Sequence, residues 1–154
     1  MKIRELIDVQ LINLELIAKT KDGVIYELAE LLHRDNRILN LKDFIEDIKA
    51  RESLGSTGIG LGIAIPHAKS KHVKKPSLVY GYSAQGIDYE SLDDEKAHIF
   101  FMIAMPEEGA NLHLKALALL SRSLIHETFR NALMQAQSKE DVLDLLKTID
   151  KEEA

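Results

Sequence analysis

Residues 97–106 read AHIFFMIAMP, and within them Ile99–Met105 (IFFMIAM) is the longest unbroken apolar run of the chain, seven residues closed by Pro106. A membrane-spanning helix needs roughly 20 such residues. Seven suits a strand, and the missing apolar/polar alternation marks a strand buried on both faces. A sheet containing it must be covered by helices on two sides. Working outward, Leu78–Ala84 (LVYGYSA) is β-branched and aromatic and lies between Pro76 and Gly86, so it reads as a second strand. Both ends of the chain carry helical periodicity. Helices, then strands, then helices imply a three-layer domain around a central sheet.

Before the strands, Leu11–Leu16 reads as a short extended segment. Thr20 or Asp22 offers an N-cap to a helix with Val24, Leu28, Leu31 and Leu32 at helical spacing, ending at Asn36. A second helix from about Leu41 places Leu41, Phe44, Ile45 and Ile48 on one face and Asp43, Glu46, Asp47, Lys49 and Glu52 on the other. After the strands, Leu112, Ala116, Leu119, Leu120 and Ser123 make one face of a long helix, and Phe129, Leu133 and Met134 mark another. Ser138 and Asp141 form a capping box, with Asp for the usual Glu. It opens a final helix that turns Val142, Leu145, Leu146 and Ile149 inward.

Composition bounds the function. The 154 residues suit one domain, and 45% hydrophobic with 29% charged residues is ordinary for a globular protein. There is no cysteine, which excludes a disulfide scaffold, a thiol nucleophile and cysteine-ligated metal. A net charge of −5 and 5% aromatics argue against a nucleic-acid surface or a base-stacking platform. MKIRELIDVQ has no continuous apolar core of the signal-peptide kind, so a cytoplasmic protein with no direct membrane insertion is the expectation.

The chemistry concentrates in residues 51–70, RESLGSTGIGLGIAIPHAKS, where glycines stand at 55, 58, 60 and 62. A backbone so free of side chains can turn its amides toward an anion, and equally can make a tight turn entering a strand. Neither nucleotide signature is present. Gly58 and Gly60 give GxG but position 63 is Ile, and no Gly-Lys-Ser/Thr follows. Ile63, Ala64 and Ile65 lead into Pro66 and His67. A histidine on a proline-stiffened strand exit, between the small Ala64 and Ala68, is well placed to present one ring nitrogen.

GSTGIGLGIAIPHA, preceded by Arg51-Glu52 and followed by PEEGANLHLKALALLSRSL, resembles the enzyme IIA domains of the phosphoenolpyruvate:sugar phosphotransferase system (PTS), fructose/mannitol type. That family includes nitrogen-regulatory paralogues. The likeness runs over almost the whole chain, including GIDYESLDDEKAHIFFMIAMP. It implies an α/β fold (α+β in some schemes): a single three-layer domain over residues 1–154, its central mixed β-sheet flanked by helices on both faces. It implies a phosphohistidine carrier. His67 would take a phosphoryl group on Nε2 from the phosphocarrier HPr and pass it to a cysteine of enzyme IIB, which, with IIC, would stand on another chain. By the same resemblance His113 would stabilise the phosphoryl group and Arg51 would clamp its oxygens. Ser56, Thr57 and Gly58 fall on the phosphate-binding loop. No organic cofactor and no metal is implied. The alternative within the family is a regulatory module whose His67 phosphorylation state controls partner proteins.

Each residue also has a plainer reading. Arg51 suits the negative end of its helix, and His113 suits a helix start. Lys69, Lys71, His72, Lys74 and Lys75 make a basic stretch that either attracts a phosphorylated partner or is a solvated loop. His98 reads as structural, and His33 and His126 as surface or packing residues. Glu107 and Glu108 either rim the site or cap the helix near Asn111. A zinc site from His67, His72 and His113 lacks HExxH spacing and a carboxylate partner. Leu61, Ile63, Ile65 and Ala68 are expected to form an apolar docking ring around His67.

Overall fold

A computed structural model describes residues 2–108 and 111–153. The anticipated buried strand is β6 (Ala97–Pro106), and Ile99–Met105 is buried at every position. Fully burying one Ile or Phe side chain contributes roughly 1.5–3 kcal/mol, so this strand anchors the core. It pairs antiparallel with β5 (Ser77–Ile87), which exceeds the anticipated Leu78–Ala84 at both ends. On the outer side of β5, the two-residue β1 (Ile12–Asn13) runs parallel to it. That is all that regular pairing makes of Leu11–Leu16, because Asn13 Oδ1 accepts from Glu15 N (2.9 Å) and turns the chain away.

The other edge of β6 is shared by two short strands. β3 (Ile63–Ala64) pairs parallel with its first half, and β4 (His67–Ser70) with its second. Between them Pro66, which has no N–H, accepts from Ile103 N through its carbonyl (2.9 Å). β2 (Gly58–Gly60) lies antiparallel to β3. The sheet is therefore mixed.

Helices cover both faces. α1 (Lys21–Arg34) and α2 (Leu41–Glu52) pack on each other and on β5 and β4. α3 (Leu112–Leu124), α4 (Glu127–Gln135) and α5 (Lys139–Glu153) form the second layer, with α3 on β6. Buried apolar side chains from every layer form one contiguous cluster. The caps follow local chemistry. Thr20, not Asp22, caps α1 by accepting from Gly23 N (3.0 Å), and Asn40 caps α2 by accepting from Asp43 N (2.9 Å). Asn36 adopts φ 58° after α1. Ser138 accepts from Asp141 N (3.1 Å), while Asp141 reaches back one residue further than a standard box, to Gln137 N (3.1 Å).

Two sequence expectations change. The polar face assigned to Glu52 is wrong for that residue: Glu52 is buried. Ile63, Ile65 and Ala68 are buried as well, the two isoleucines completely, so they belong to the core. Pairing with β6 draws them under the helices. Of the expected docking ring only Leu61 is exposed.

Candidate active site

His67 opens β4 in register with Ile103, and its ring is almost wholly buried. Its Nδ1 lies 2.7 Å from the Ile65 carbonyl oxygen. A carbonyl can only accept, so Nδ1 carries the proton and Nε2 carries the lone pair. The ring is held by its own strand entry, because the break at Pro66 leaves the Ile65 carbonyl pointing back at it. Burial, chiefly, and the Arg51 charge lower the His67 pKa. The Ile65 bond and the Glu52 charge work in the opposite sense. The imidazole is accordingly neutral near pH 7.

His113 lies in the first turn of α3. Burial lowers its pKa first, followed by the charges of His67 and Lys69, which brings the two imidazoles into one electrostatic neighbourhood. Its Nδ1 is buried without a hydrogen-bond partner. Arg51, in the last turn of α2, donates from Nη1 to the Gly55 carbonyl (3.1 Å), so the guanidinium also closes the start of the glycine loop. It stands near enough to His67 to depress its pKa. Arg51, His67 and His113 thus come together from α2, β4 and α3.

The loop hydroxyls are otherwise engaged. Ser56 Oγ donates to the Tyr89 carbonyl (2.8 Å) and accepts from Gly58 N (3.0 Å). Thr57 N donates to Glu52 Oε1 (3.1 Å), and the Thr57 hydroxyl donates to Glu52 Oε2. Gly58 is required by a close approach: a Cβ there would sit 2.5 Å from Ser91 Oγ and 3.0 Å from Ser91 Cα. Beyond it Gly60, Leu61 and Gly62 all take positive φ (93°, 60° and 77°). Asp93 Oδ2 holds this turn by accepting from Leu61 N (3.1 Å). Leu61 pays the cost that an L side chain meets in the left-handed region, and its side chain projects into solvent.

Glu52 is the residue that pattern reading missed. Its carboxylate joins α2 to the glycine loop through Thr57 and to α1 through Lys21 Nζ (3.0 Å). A signal existed. Glu52 ends α2, at the negative pole of its helix, and Lys21 begins α1, at the positive pole. Each charge opposes its own helix dipole, and the two pair with each other.

The remaining candidates lie elsewhere. His98 Nδ1 donates to the Ser83 carbonyl (2.8 Å) and ties β6 to β5. His72 faces Asp43 (3.9 Å), and its carbonyl accepts from Leu39 N (2.7 Å). His33 lies in the last turn of α1, and His126 caps α4 through its backbone. Glu107 and Glu108 are exposed on the turn after β6. Among the described residues no three His, Asp or Glu side chains cluster in a metal-holding arrangement. Exposed leucines do flank the site: Leu54 three residues after Arg51, Leu114 beside His113, and Leu92, whose N donates to the Gly58 carbonyl (2.9 Å). Among the described residues no helix is long and apolar enough to cross a membrane.

A mixed sheet between two helical layers, with two histidines and an arginine gathered at one strand entry, defines a class of small α/β domain. Residues 5–149 match the family described as phosphoenolpyruvate-dependent sugar phosphotransferase system, EIIA 2, and the chain belongs to that family. It is 43% identical over 151 residues to the PTS system fructose-specific EIIABC component of Bacillus subtilis, covering 98% of this chain but 24% of that protein. It is 42% identical over 137 residues to the PTS system fructose-specific EIIA component of Haloferax volcanii, covering 89% of each. The fold matches the crystal structure of the nitrogen regulatory protein IIA-Ntr from Neisseria meningitidis with a TM-score of 0.88 and 30% identity, over 94% of this chain and 98% of that one. Membership of this family gives the chain a phosphocarrier role in general terms.

Proposed function

We propose that residues 1–154 form one carrier domain that accepts a phosphoryl group on His67 Nε2 from phosphorylated HPr and passes it to the cysteine of a fructose-type IIB. The observation that carries this is the Nδ1–H···O=C bond from His67 to Ile65, which leaves Nε2 as a neutral nucleophile in a fixed direction. In the first transfer the donor's N–P bond breaks as the His67 Nε2–P bond forms, and the His67 proton stays on Nδ1. In the second the Nε2–P bond breaks as an S–P bond forms on the acceptor thiolate.

Such transfers depend on alignment and charge more than on covalent help. Arg51 offers a permanent planar cation for phosphoryl oxygens, and His113 a second polar group beside His67. Ser56, Thr57 and Gly58, whose donors are spent on Tyr89, Glu52 and Ser56, serve by shaping the loop and tying it down. Leu54, Leu61, Leu92 and Leu114 supply apolar area for a transient partner. The higher identity to fructose-specific relatives favours sugar uptake in the cytoplasm over the regulatory role named for the Neisseria protein.

The test is intact-mass analysis after incubation with phosphoenolpyruvate, enzyme I and HPr, with samples held alkaline to protect phosphohistidine. Wild type gains one phosphoryl group and folded His67→Gln gains none. No gain in folded wild type with working HPr overturns the carrier reading. Transfer onward to a fructose-type IIB, against none, separates transport from regulation.

A further inference from the structure

The strand that carries His67 is tied to the helix that carries Arg51 at a point outside the site described above. Ser70, the last residue of β4, is buried, and its Oγ donates to Asp47 Oδ2 of α2 (2.6 Å) and accepts from His72 N (3.0 Å). β4 keeps its register on β6 from His67–Ile103 to Ser70–Pro106, so Ser70 and His67 belong to one rigid strand. Asp47 is half-buried and stands one helical turn before Arg51, on the same face of α2. An acid and a base at that spacing commonly pair across the turn. Here the Asp47 carboxylate accepts from Ser70 instead, and the Arg51 guanidinium donates to the Gly55 carbonyl (3.1 Å).

A second tie lies just beyond Arg51. Glu52 Oε1 accepts from Thr57 N (3.1 Å), the Thr57 carbonyl accepts from Ile65 N (3.0 Å), and the Ile65 carbonyl lies 2.7 Å from His67 Nδ1. The two ties set the direction of α2: it runs back along β4, from Ser70 toward the strand entry. Asp47 to Arg51 spans about 6 Å of helix, and Ser70 to His67 about 10 Å of strand. Arg51 and His67 both fall between the ties. Phe44 and Ile48 hold α2 on the core, but apolar packing is non-directional. The bond from Ser70 supplies the direction. Because Asp47 and Arg51 share a face, it fixes the rotation of the helix about its axis, and with it the side on which the guanidinium stands.

We propose that Asp47 and Ser70 are positioning residues for phosphoryl transfer: their hydrogen bond locks the rotation of α2 against β4 and so sets where Arg51 stands when a phosphoryl group sits on His67 Nε2. The inference rests on the carrier reading, in which Arg51 holds phosphoryl oxygens. Transfers of this kind lose rate steeply when an aligned group is misplaced by about an ångström. The bond needs an acceptor at position 47 and not a charge. Asp47→Asn, whose amide oxygen accepts from the same hydroxyl, therefore keeps it.

The experiment measures the rate of phosphoryl acceptance from phosphorylated HPr in the full chain for wild type, Asp47→Ala, Ser70→Ala and Asp47→Asn, each also in an Arg51→Ala background. Amide hydrogen exchange is followed on the same proteins without phosphate. Both alanine variants are expected to accept at least about tenfold more slowly. Asp47→Asn accepts at close to the wild-type rate, and neither alanine slows an Arg51→Ala chain further. Exchange at Ser53, Leu54 and Gly55, whose amides close the last turn of α2 on Lys49, Arg51 and Glu52, quickens by about tenfold in both alanine variants. Folded alanine variants that accept at the wild-type rate overturn the proposal. So does slowing that persists undiminished without Arg51, the mark of a merely structural bond. A slow Ser70→Ala beside a wild-type Asp47→Ala also overturns it, because a freed Asp47 then captures Arg51 and no locking is involved. Should one alanine variant fail to fold, the other removes the same bond and is read alone. A wild type that accepts no phosphoryl group sinks the carrier reading, whereas unmoved exchange rates sink the locking of α2 by themselves.

Discussion

Thr57→Val separates two roles for a hydroxyl in the glycine loop. Thr57 is buried, and its Oγ1 donates to Glu52 Oε2, which is also buried. Valine keeps the volume and the β-branch and removes only that donor. The backbone bond from Thr57 N to Glu52 Oε1 (3.1 Å) and the Lys21 contact to the same oxygen (3.0 Å) remain. Oε2 is then a buried carboxylate oxygen without its donor. A hydrogen bond to a charged group contributes about 1.5–3 kcal/mol, so a loss near 2 kcal/mol is expected. For a domain of this size that corresponds to a fall of about 4–8 °C in Tm. Urea unfolding followed by circular dichroism measures the loss, and mass analysis after a short reaction with phosphorylated HPr measures the rate of acceptance. Thr57→Ser, which keeps the hydroxyl, should recover most of the stability. The reasoning fails if Thr57→Val unfolds within about 0.5 kcal/mol of wild type and accepts phosphate at least tenfold more slowly. That outcome would make the hydroxyl a phosphoryl donor and its bond to Glu52 incidental.

Two further predictions concern the charged groups at His67. Arg51→Ala should slow phosphoryl acceptance by about 10²-fold, as expected for removing one charge-stabilising donor, and cost under about 1 kcal/mol of stability, since its bond to Gly55 lies at the surface. A quench-flow time course against unfolding data checks both, and unchanged acceptance would remove Arg51 from the site. Stability should also fall as pH drops below about 6.5. His67 and His113 both have lowered pKa values when folded, so between the folded and unfolded values the unfolded chain binds more protons and acid favours it. Urea midpoints between about pH 5 and 7 should flatten in His67→Gln/His113→Gln, and an equally steep double variant would refute the assignment.

Elements whose partners are close in sequence were legible. The Thr20 cap (one of the two residues the sequence offered), the helical faces of α1 and α2, and the strand β6 all rest on contacts within a few residues or on an apolar run that admits one environment. The helix read over Leu112–Ser123 and the further one marked by Phe129, Leu133 and Met134 are α3 and α4, separated at Ile125–His126, where Ile125 N and His126 N close the first helix on Ser121 and Ser123. The place of His67 on a stiffened strand entry was legible because Pro66 precedes it directly, and the Ile65 carbonyl that holds its ring is two residues away.

The sequence by itself determined the elements, the buried strand and the histidine on its proline-stiffened entry, since these depend on periodicity, capping and local backbone stiffness. Only the tertiary structure decided the fate of charges and apolar side chains whose partners are distant along the chain. Ile63 and Ile65 became core because β3 joined β6, 36 residues away at the Ile63–Ile99 pair. Glu52 left the polar face of its helix because the returning loop and α1 closed over it, bringing Thr57 and Lys21 within hydrogen-bond reach. A helical pattern records which face a residue shares. Whether the last turn of that face meets water or another segment depends on where the rest of the chain goes.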